Sequence, residues 1–462
     1  MPELHSLSAA ELAAAFHRRE LSPLDVTRAA IAHIERWEPR LGALYAFDPE
    51  RALMQARASG ERWRLGRPAS RLDGVPCTIK ENIATRGVPV PLGTAATELV
   101  AATADAPPAA RLREAGAVVL AKTTMPDYGM LSSGLSSFHP LTRNPWDLTK
   151  NPGGSSAGAA AAAAAQYAPL NLGTDIGGSI RLPAGWCGIV GLKPSLGRVP
   201  IDPPYAGRVA GPMTRTVADA ALMMDVLSRP DWRDTMSLPE QPIDWRALER
   251  EVKGLRLGLQ LDAGWGIAVE PEVRAIVEAA ALNFEGAGTI VEPLPAFTTR
   301  AMIDGLDAFW RMRAWLDISA LPAARRLKVL PYIVQWAATA KSLTGEDVFR
   351  GYSQMGAIRD AAVVACQPFD YVLSPVSPVP AFAAELASPL NDPARPFEHI
   401  AFTLPFNMSE QPAIAINAGY TATGLPVGLQ ISGHRFDDLG VLQLARAWEK
   451  LRPVQRPWPV AP

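Results

Sequence analysis

Two serines beside glycine-rich turns and one lysine are the residues of this sequence whose types and spacing could carry out chemistry. Ser155 and Ser179 each follow two consecutive glycines, and Lys80 ends a strand-like run. A serine hydroxyl is a weak nucleophile until a base removes its proton, and a lysine that burial keeps neutral can act as that base. An ion pair with the adjacent Glu81 is a purely structural explanation of the same lysine. Both interpretations are open at this point.

Two better-known motifs are similar to the first glycine-rich turn, and the sequence fits neither of them. A phosphate-binding loop needs Gly-Lys-Ser or Gly-Lys-Thr after its glycines, or the pattern GxGxxG, and the sequence contains neither. Residues 154–158 match the GxSxG elbow of α/β-hydrolases, with Ser156 as nucleophile, but an elbow interrupts a strand. The preceding residues 144–152 are polar and contain two prolines, which a central strand does not tolerate. Of six histidines, only His399 and His434 lie downstream.

The composition indicates a globular protein whose partners are small molecules. The 462 residues include 45 basic and 46 acidic side chains, giving a formal net charge of −1, and 48% are hydrophobic. No basic cluster offers a footprint for nucleic acid or an anionic membrane. The three cysteines are scattered and form no CxxC pair, so we expect neither a disulfide framework nor a zinc site. Because the N-terminal segment is acidic where a secretory signal would be basic, we expect a cytoplasmic protein.

Short apolar or β-branched runs alternate with helical patterns after residue 70, which predicts an α/β sheet with helices on its faces. Two capped helices are predicted near the N-terminus, because Ser8 precedes Glu11 by three residues and Ser22 precedes Pro23. The pattern becomes helix-rich after residue 230. The predicted strands cover residues 76–79, 117–121, 170–173, 255–261, 371–374, 413–417 and 427–431.

The segments that contain these motifs resemble the amidase signature family. The resemblance covers roughly residues 5–228 and 368–450, and it is interrupted at Ala157 and at 409–412, where many relatives have other residues. It implies an α/β fold with one large, mixed, twisted β-sheet sandwiched between layers of α-helices, in a single domain spanning 1–462. The helix-rich region 230–365 would then cap the active site. The matching motifs are the segment around Lys80 and residues 153–156, 173–181, 187–194, 211–219 and 424–430.

The same resemblance assigns roles to the three candidate residues. Ser179 looks like the nucleophile, Ser155 the bridging serine on a cis peptide after Gly154, and Lys80 the terminal base. The implied reaction is hydrolysis of a linear amide through an acyl-enzyme on Ser179, with no metal and no organic cofactor. A structural glycine turn is the simpler explanation of the second motif. The backbone N–H groups expected to form the oxyanion hole are those of Ile176, Gly177, Gly178 and Ser179.

Charged residues flank the second turn. Asp175 and Arg181 carry opposite charges on either side of it, and we expect them to hold the loop without transferring protons.

The resemblance leaves two other functions open. One is the A subunit of a tRNA-dependent amidotransferase, which would use the same triad to supply ammonia to a partner protein. The other is a catalytically silent binding protein on the same scaffold. Family members often dimerise, so a homodimer is also open.

Aromatic residues between 301 and 340 have either a core or a substrate-binding role. The core interpretation follows from the burial tendency of large aromatic side chains at helical spacing. If they form a cap over Ser179 instead, the preferred substrate is a neutral aryl or apolar amide, with aryl carbamates and esters as further candidates. The side chains expected to line such a pocket are Trp310, Trp315 and Trp336, facing Met125, Tyr128 and Leu131.

Overall fold

The computed structural model describes residues 3–461, in which an 11-stranded β-sheet forms the centre of the molecule. The strands are β1 (Leu44–Tyr45), β2 (Pro76–Lys80), β3 (Val118–Thr123), β4 (Leu170–Asp175), β5 (Val190–Lys193), β6 (Val209–Thr214), β7 (Arg256–Leu259), β8 (Ile290–Pro293), β9 (Tyr371–Pro375), β10 (Ala413–Tyr420) and β11 (Pro426–Ser432).

The sheet is mixed, and its strand order is β1-β3-β2-β4-β6-β5-β10-β11-β9-β7-β8. β2 is parallel to both of its neighbours, β3 and β4, whereas β4 is antiparallel to β6. The carboxyl ends of β2 and β4 therefore lie side by side at one edge of the sheet. Residues at these two strand ends can meet without any long connection.

The helices are α1 (Ala9–His17), α2 (Pro23–Leu41), α3 (Pro49–Arg64), α4 (Pro107–Glu114), α5 (Ala157–Ala164), α6 (Arg181–Cys187), α7 (Val217–Leu227), α8 (Pro271–Gly286), α9 (Arg300–Ser319), α10 (Ala323–Arg326), α11 (Pro331–Ala338), α12 (Gly345–Cys366), α13 (Pro405–Met408) and α14 (Asp438–Leu451). Within residues 3–461, no helix has both the length and the apolar character needed to cross a membrane.

Both faces of the sheet are covered by helices. Alternate residues of a strand point to opposite faces. In β10, Ile414 and Ile416 belong to one apolar core together with Trp448 of α14, whereas Ala415 between them belongs to a second core with Trp310 of α9. The sheet lies between two helical layers, and the α/β fold expected from the sequence is confirmed.

Helix α5 lies close to the sheet because its side chains are small. All of its residues are buried alanines or glycine. A Cβ atom at Gly158 would lie 2.1 Å from the carbonyl oxygen of Ala43 and 2.5 Å from the backbone nitrogen of Thr124. Because α5 begins directly after Ser156, this close packing also fixes the position of the first serine turn.

The predicted local elements agree with the structure where the signals were strong. Ser8 and Glu11 form a capping box at α1, and the Ser22 side chain caps α2. The predicted strands all occur, with ends that differ by at most three residues. β1, β5, β6 and β8 had no strand prediction. β1 has two residues and β5 has four, Gly211 and Pro212 interrupt the pattern of β6, and β8 is a largely exposed edge strand.

The region 230–365 contains two strands in addition to its helices. β7 and β8 extend the sheet at one edge, so the region is joined to the sheet by backbone pairing. Its long helices α9 and α12 cross at a glycine pair, where a Cβ atom on Gly351 would lie 2.3 Å from the carbonyl oxygen of Gly305. This close crossing holds α9 in a fixed position above the sheet.

The packing of α5 predicts the effect of a single added methyl group. We expect Gly158→Ala to lower the free energy of unfolding by about 1–3 kcal/mol, because the new Cβ overlaps backbone atoms that cannot move aside. The matched control is Gly356→Ala in α12, where nothing lies within 4 Å of the added Cβ. We expect this change to be neutral or to stabilise by up to about 1 kcal/mol. Urea unfolding followed by circular dichroism measures both values, and equal effects would contradict the packing argument.

Candidate active site

Lys80 lies at the carboxyl end of β2, beside the end of β4, and its side chain is fully buried. Its Nζ atom lies 2.8 Å from Ser155 Oγ, 3.0 Å from Ser156 Oγ and 3.0 Å from Thr174 Oγ1. The two serines directly precede α5, and Thr174 belongs to β4. The amine is therefore surrounded by three hydroxyl groups from two elements that the fold holds together.

Burial changes the acidity of this lysine. It lowers the pKa of Lys80 to about 7, while the negative charges of Asp175 and Glu81 act in the opposite direction. No carboxylate in the described chain lies within 4 Å of Nζ, so the ion pair with Glu81 considered from the sequence is not formed. Near neutral pH, a substantial fraction of Lys80 is an uncharged amine that can accept a proton.

The hydroxyl hydrogens around Lys80 limit how a proton can reach it. A neutral amine has two N–H groups and one lone pair, so one hydroxyl can donate to Nζ. Ser156 does not, because its Oγ donates to the carbonyl oxygen of Thr174 at 3.1 Å. Thr174 Oγ1 already accepts from Asn82 Nδ2 at 3.1 Å. Ser155 Oγ has Lys80 Nζ as its hydrogen-bond partner within residues 3–461, which gives its proton a direct route to the amine.

The second serine turn connects β4 to α6 and lies against the first turn. The backbone N–H of Ser156 donates to the carbonyl oxygen of Ser179 at 3.2 Å. The peptide bond between Gly154 and Ser155 is cis. Ser155 is buried, whereas Ser179 is partly exposed. Of the two predicted serines, Ser179 is the one that a molecule from solution can reach.

Asp175 and Arg181 form a fully buried ion pair at the base of this turn. The Arg181 Nε and Nη2 atoms each donate to the Asp175 carboxylate at 3.0 Å. The same carboxylate accepts from the backbone N–H groups of Gly178 at 2.8 Å and Ile180 at 3.0 Å. Burial alone would raise the pKa of Asp175, but the charge and hydrogen bonds of Arg181 hold it well below its usual range. The expectation that these charges hold the loop is confirmed.

This ion pair determines which backbone N–H groups of the turn are left available to a bound molecule. Four N–H donors were expected in the turn, but that of Gly178 is already used by Asp175. Gly178 has a φ of 131°, and a Cβ atom there would lie 2.5 Å from Thr403 Oγ1, so the position requires glycine. The N–H groups that have no acceptor within residues 3–461 are those of Ile176, Gly177 and Ser179.

Ser179 opens into a small cavity of about 50 Å³. The walls are largely apolar, and the rings of Trp310 and Phe397 meet edge to face with centroids 5.3 Å apart. The Trp310 ring also approaches the glycine turn, because a Cβ atom at Gly177 would lie 3.6 Å from it. The lining residues are Gly129, Met130, Leu131, Ser132, Ile176, Gly177, Ser179, Trp310, Arg313, Phe397 and Ile400.

A second cavity, of about 360 Å³, adjoins the first. Both are lined by Met130, Trp310 and Arg313. Met125 and Tyr128, which were expected to face the substrate, line this second cavity. The two cavities are therefore neighbours, and together they form a candidate binding site beside Ser179.

Two of the predicted pocket residues lie elsewhere. Trp336 is buried in the core, where its Nε1 donates to Asp307 Oδ1 at 2.8 Å and its ring packs on Phe397. Trp315 stacks under the ammonium group of Lys341 at 4.5 Å. Neither residue lines either cavity. Which aromatic side chains line the cavities depends on how α9 and α11 pack, which the spacing of aromatic residues could not show.

Several residues of the site had no sequence assignment. Thr174 and Ser156 belong to the glycine-rich motifs, and their hydroxyl groups were a usable signal for contacts with a lysine. Phe397, Ile400 and Arg313 lie far from the motifs in sequence, and no local pattern distinguishes them from core or surface residues.

The comparisons with known proteins agree with this geometry. The Amidase family profile matches residues 25–442. The chain belongs to the amidase signature family. It is therefore an amidohydrolase of that family, and its large mixed sheet between helical layers matches the fold of its structural neighbours.

Three similar proteins show the range of relatives of this amidase signature chain. The A subunit of glutamyl-tRNA(Gln) amidotransferase from Myxococcus xanthus strain DK1622 is 36% identical, over 97% of this chain and 98% of that protein. An acylamidase from Rhodococcus erythropolis is 34% identical, over 97% and 96%. The crystal structure of a bacterial aryl acylamidase of the amidase signature family superposes with a TM-score of 0.89 at 29% identity, covering 98% of each chain.

The buried ion pair makes a testable prediction about stability. We expect Arg181→Met to lower the free energy of unfolding by about 3–5 kcal/mol, because it leaves the Asp175 carboxylate buried without its partner. Arg350→Met is the matched control, since Arg350 forms an exposed pair with Glu346 on α12, and we expect a change within about 0.5 kcal/mol. Urea unfolding measures both, and a small effect of Arg181→Met would show that the loop is held by other contacts.

Proposed function

We propose that this protein hydrolyses a carboxamide that carries an aryl or other apolar group, through an acyl-enzyme on Ser179. Aryl carbamates and esters are further candidate substrates with the same reacting group. The observation that carries the proposal is the buried Lys80 amine, 2.8 Å from Ser155 Oγ and with a pKa of about 7. The Lys80 amine can act as the base, Ser155 as the proton relay, and Ser179, in the partly exposed turn beside them, as the nucleophile.

In the first step, Ser179 Oγ attacks the carbonyl carbon of the amide. The Ser179 proton passes to Ser155 as the Ser155 proton passes to the neutral Lys80 amine. Thr174 and Ser156 accept hydrogen bonds from the resulting ammonium, at 3.0 Å each. The positive charge formed on Lys80 therefore has fixed acceptors in a site that excludes water.

The negative charge of the tetrahedral intermediate needs donors at the Ser179 turn. The free N–H groups of Ile176, Gly177 and Ser179 support an oxyanion hole in which the Gly178 N–H has a structural role instead. Because Asp175 and Arg181 hold the loop in place, these donors need no reorganisation during the reaction.

Collapse of the intermediate breaks the carbon–nitrogen bond. The leaving nitrogen takes a proton from Ser155, which is replenished from Lys80, and the acyl group remains on Ser179. Water then attacks the acyl-enzyme, and its proton passes through Ser155 to Lys80. In the second collapse this proton returns through Ser155 to Ser179 Oγ, which releases the carboxylic acid and restores the Ser179 hydroxyl and the neutral Lys80 amine.

The apolar lining next to Ser179 supports an aryl or apolar substituent on the substrate. Trp310 and Phe397 present ring surfaces at an angle of 82°, an arrangement into which a flat ring can pack. Met130, Leu131 and Ile400 supply the remaining apolar surface. The resemblance to the acylamidase and the aryl acylamidase is consistent with this choice.

A second candidate function is hydrolysis of glutamine as the A subunit of an amidotransferase. The 36% identity to the corresponding protein from Myxococcus xanthus favours it. The two functions differ in substrate, so the purified chain can be assayed with glutamine and with an anilide. Faster hydrolysis of the anilide by the chain alone supports the amidase proposal, and glutamine hydrolysis that depends on added partner proteins supports the second.

The proposed roles predict large losses of activity in three variants. We expect Ser179→Ala, Ser155→Ala and Lys80→Met each to lower kcat/KM for an anilide by at least about 10³-fold, because each removes one member of a relay that acts as a unit. Ser353→Ala is the matched control, since Ser353 is an exposed serine of α12, and it should keep wild-type activity. A fluorophosphonate probe should label the wild-type protein at Ser179 and should not label Ser179→Ala. More than a tenth of wild-type activity in Ser179→Ala, or no labelling, would reject the nucleophile and favour a silent binding protein.

The pKa of Lys80 predicts the pH dependence. Protonated Lys80 cannot accept the serine proton, so kcat/KM should rise with pH up to an apparent pKa of about 7 and be constant above it. Burial also lowers the pKa of Lys122 and Lys193 to about 7. A variant is therefore needed to show which of the three lysines causes the pH dependence. Ser156→Ala removes an acceptor from the ammonium form and should move the rise to lower pH. A flat profile, or one that Ser156→Ala leaves unmoved, would contradict Lys80 as the base.

A further inference from the structure

Two arginines that line the larger cavity have no carboxylate partner within residues 3–461. Arg208 directly precedes β6, and Arg313 belongs to α9. In the described chain, neither guanidinium lies within 4 Å of a carboxylate. Arg208 Nη2 donates to the carbonyl oxygen of Pro203, and its buried Nε atom has no acceptor. The Cζ atom of Arg313 lies 4.4 Å from the ring centroid of Tyr205.

This arrangement differs from that of two of the three buried arginines in the described chain. The third, Arg215, donates to the backbone carbonyl oxygens of Ser6 and Leu7, whereas Arg181 and Arg198 are each paired with an aspartate at 3.0 Å. Buried positive charges are normally paired in this way, because an unpaired one loses its hydration without compensation. Arg208 and Arg313 are half-buried and have donors to spare.

The charges around these two arginines determine the charge of the cavity wall. Burial lowers the pKa of Arg208, and the positive charge of the neighbouring Arg313 lowers it further, while the charges of Asp234 and Asp202 act in the opposite direction. Asp234 is buried and does not line the cavity. Asp202 and Asp317 also line the cavity, but both are exposed, so water screens them. The less exposed part of the wall is therefore positive, and an anion placed there would relieve the repulsion between the arginines.

The positive wall is connected to the reaction centre. Arg313 lines both the larger cavity and the small cavity that contains Ser179. Asn82 lines the larger cavity and donates to Thr174 Oγ1, which contacts Lys80 Nζ. A molecule with its amide carbonyl at Ser179 would extend past Trp310 toward the arginines.

We propose that the substrate carries an anionic group, a carboxylate or a similar oxyanion, at the end remote from the scissile amide, and that Arg208 and Arg313 bind it. The guanidinium fork matches such a group with paired hydrogen bonds. This inference rests on the proposed amide hydrolysis at Ser179. It replaces the sequence-based expectation of a fully neutral substrate, while the apolar walls hold the part between the amide and the anion.

The test uses three racemic phosphonofluoridate probes with alkyl chains of equal length, which end in a sulfonate, a neutral methyl sulfone or a trimethylammonium group. Ser179 Oγ forms a bond to phosphorus, fluoride leaves, and the hydroxyl proton passes through Ser155 to Lys80. Racemic probes present the chain to either side of Ser179. Mass spectrometry gives the second-order labelling rate constant for each probe. We expect the sulfonate probe to label wild-type protein at least about tenfold faster than the sulfone, and the ammonium probe to be slowest.

Three variants test whether the two arginines cause the preference for the sulfonate probe. Arg208→Met and Arg313→Met keep the apolar stem of the side chain and remove the charge, and each should lower the sulfonate-to-sulfone rate ratio by about fivefold or more. Arg313→Lys should retain most of the ratio, because the charge is kept. Arg350→Met, on the exposed face of α12, should leave it unchanged. The sulfone rate in each variant normalises for changes in folding or in the catalytic centre.

The outcomes separate this inference from the proposed function. Equal labelling of wild-type protein by the sulfonate and sulfone probes, or a ratio that both methionine variants keep, would overturn the anion site while Ser179 stands as nucleophile. Fastest labelling by the ammonium probe would show that Asp202 and Asp317 determine the charge of the cavity, which also overturns it. No labelling by any probe would overturn the proposed function itself.

Discussion

The buried pair of Asp175 and Arg181 is the interaction on which the geometry of the site depends. The carboxylate accepts hydrogen bonds from two backbone N–H groups of the Ser179 turn. Arg181 also donates to the Thr403 carbonyl, Asn407 and Gln430 at 2.6 to 2.8 Å. One ion pair thus connects the end of β4, the turn, α6, the segment around α13 and β11. Such a pair is costly to bury and is stable only because every donor and acceptor is satisfied. The charge of Asp175 also opposes the effect of burial on the pKa of Lys80.

A lysine base requires a different environment from a histidine base. Histidine titrates near neutral pH in water, whereas lysine does so only when its ammonium form is destabilised. In this protein the destabilisation comes from complete burial of Lys80, and hydroxyl groups take the place of carboxylates as its hydrogen-bond partners. Close packing of the alanine-rich α5 excludes water from this site. The small residues before and within α5 are therefore part of the chemistry as well as of the fold.

The proposed catalytic residues and the walls of the cavities come from different parts of the chain. β2, β4 and the turns beside α5 and α6 carry the proposed reacting groups, whereas α9 supplies Trp310 and Arg313 to both cavities. The glycine crossing with α12 holds α9 in place. Substitutions on the inner face of α9 can change the shape and charge of the cavities without altering the hydrogen bonds around Lys80. This separation is consistent with similar proteins that carry the names of different enzymes, an amidotransferase subunit and an acylamidase.

The sequence by itself determined the α/β class, the helix caps at Ser8 and Ser22 and most strands. Its resemblance to the amidase signature family added the candidate triad of Lys80, Ser155 and Ser179. These features depend on local periodicity, on capping side chains, and on motifs whose residues are close in the chain. Only the tertiary structure decided that Trp310 lines both cavities while Trp336 lies in the core, that the Gly178 N–H is used by Asp175, and that Arg208 lies beside Arg313. A local pattern shows which side of an element is buried, but which partner it is buried against depends on contacts between residues far apart in sequence.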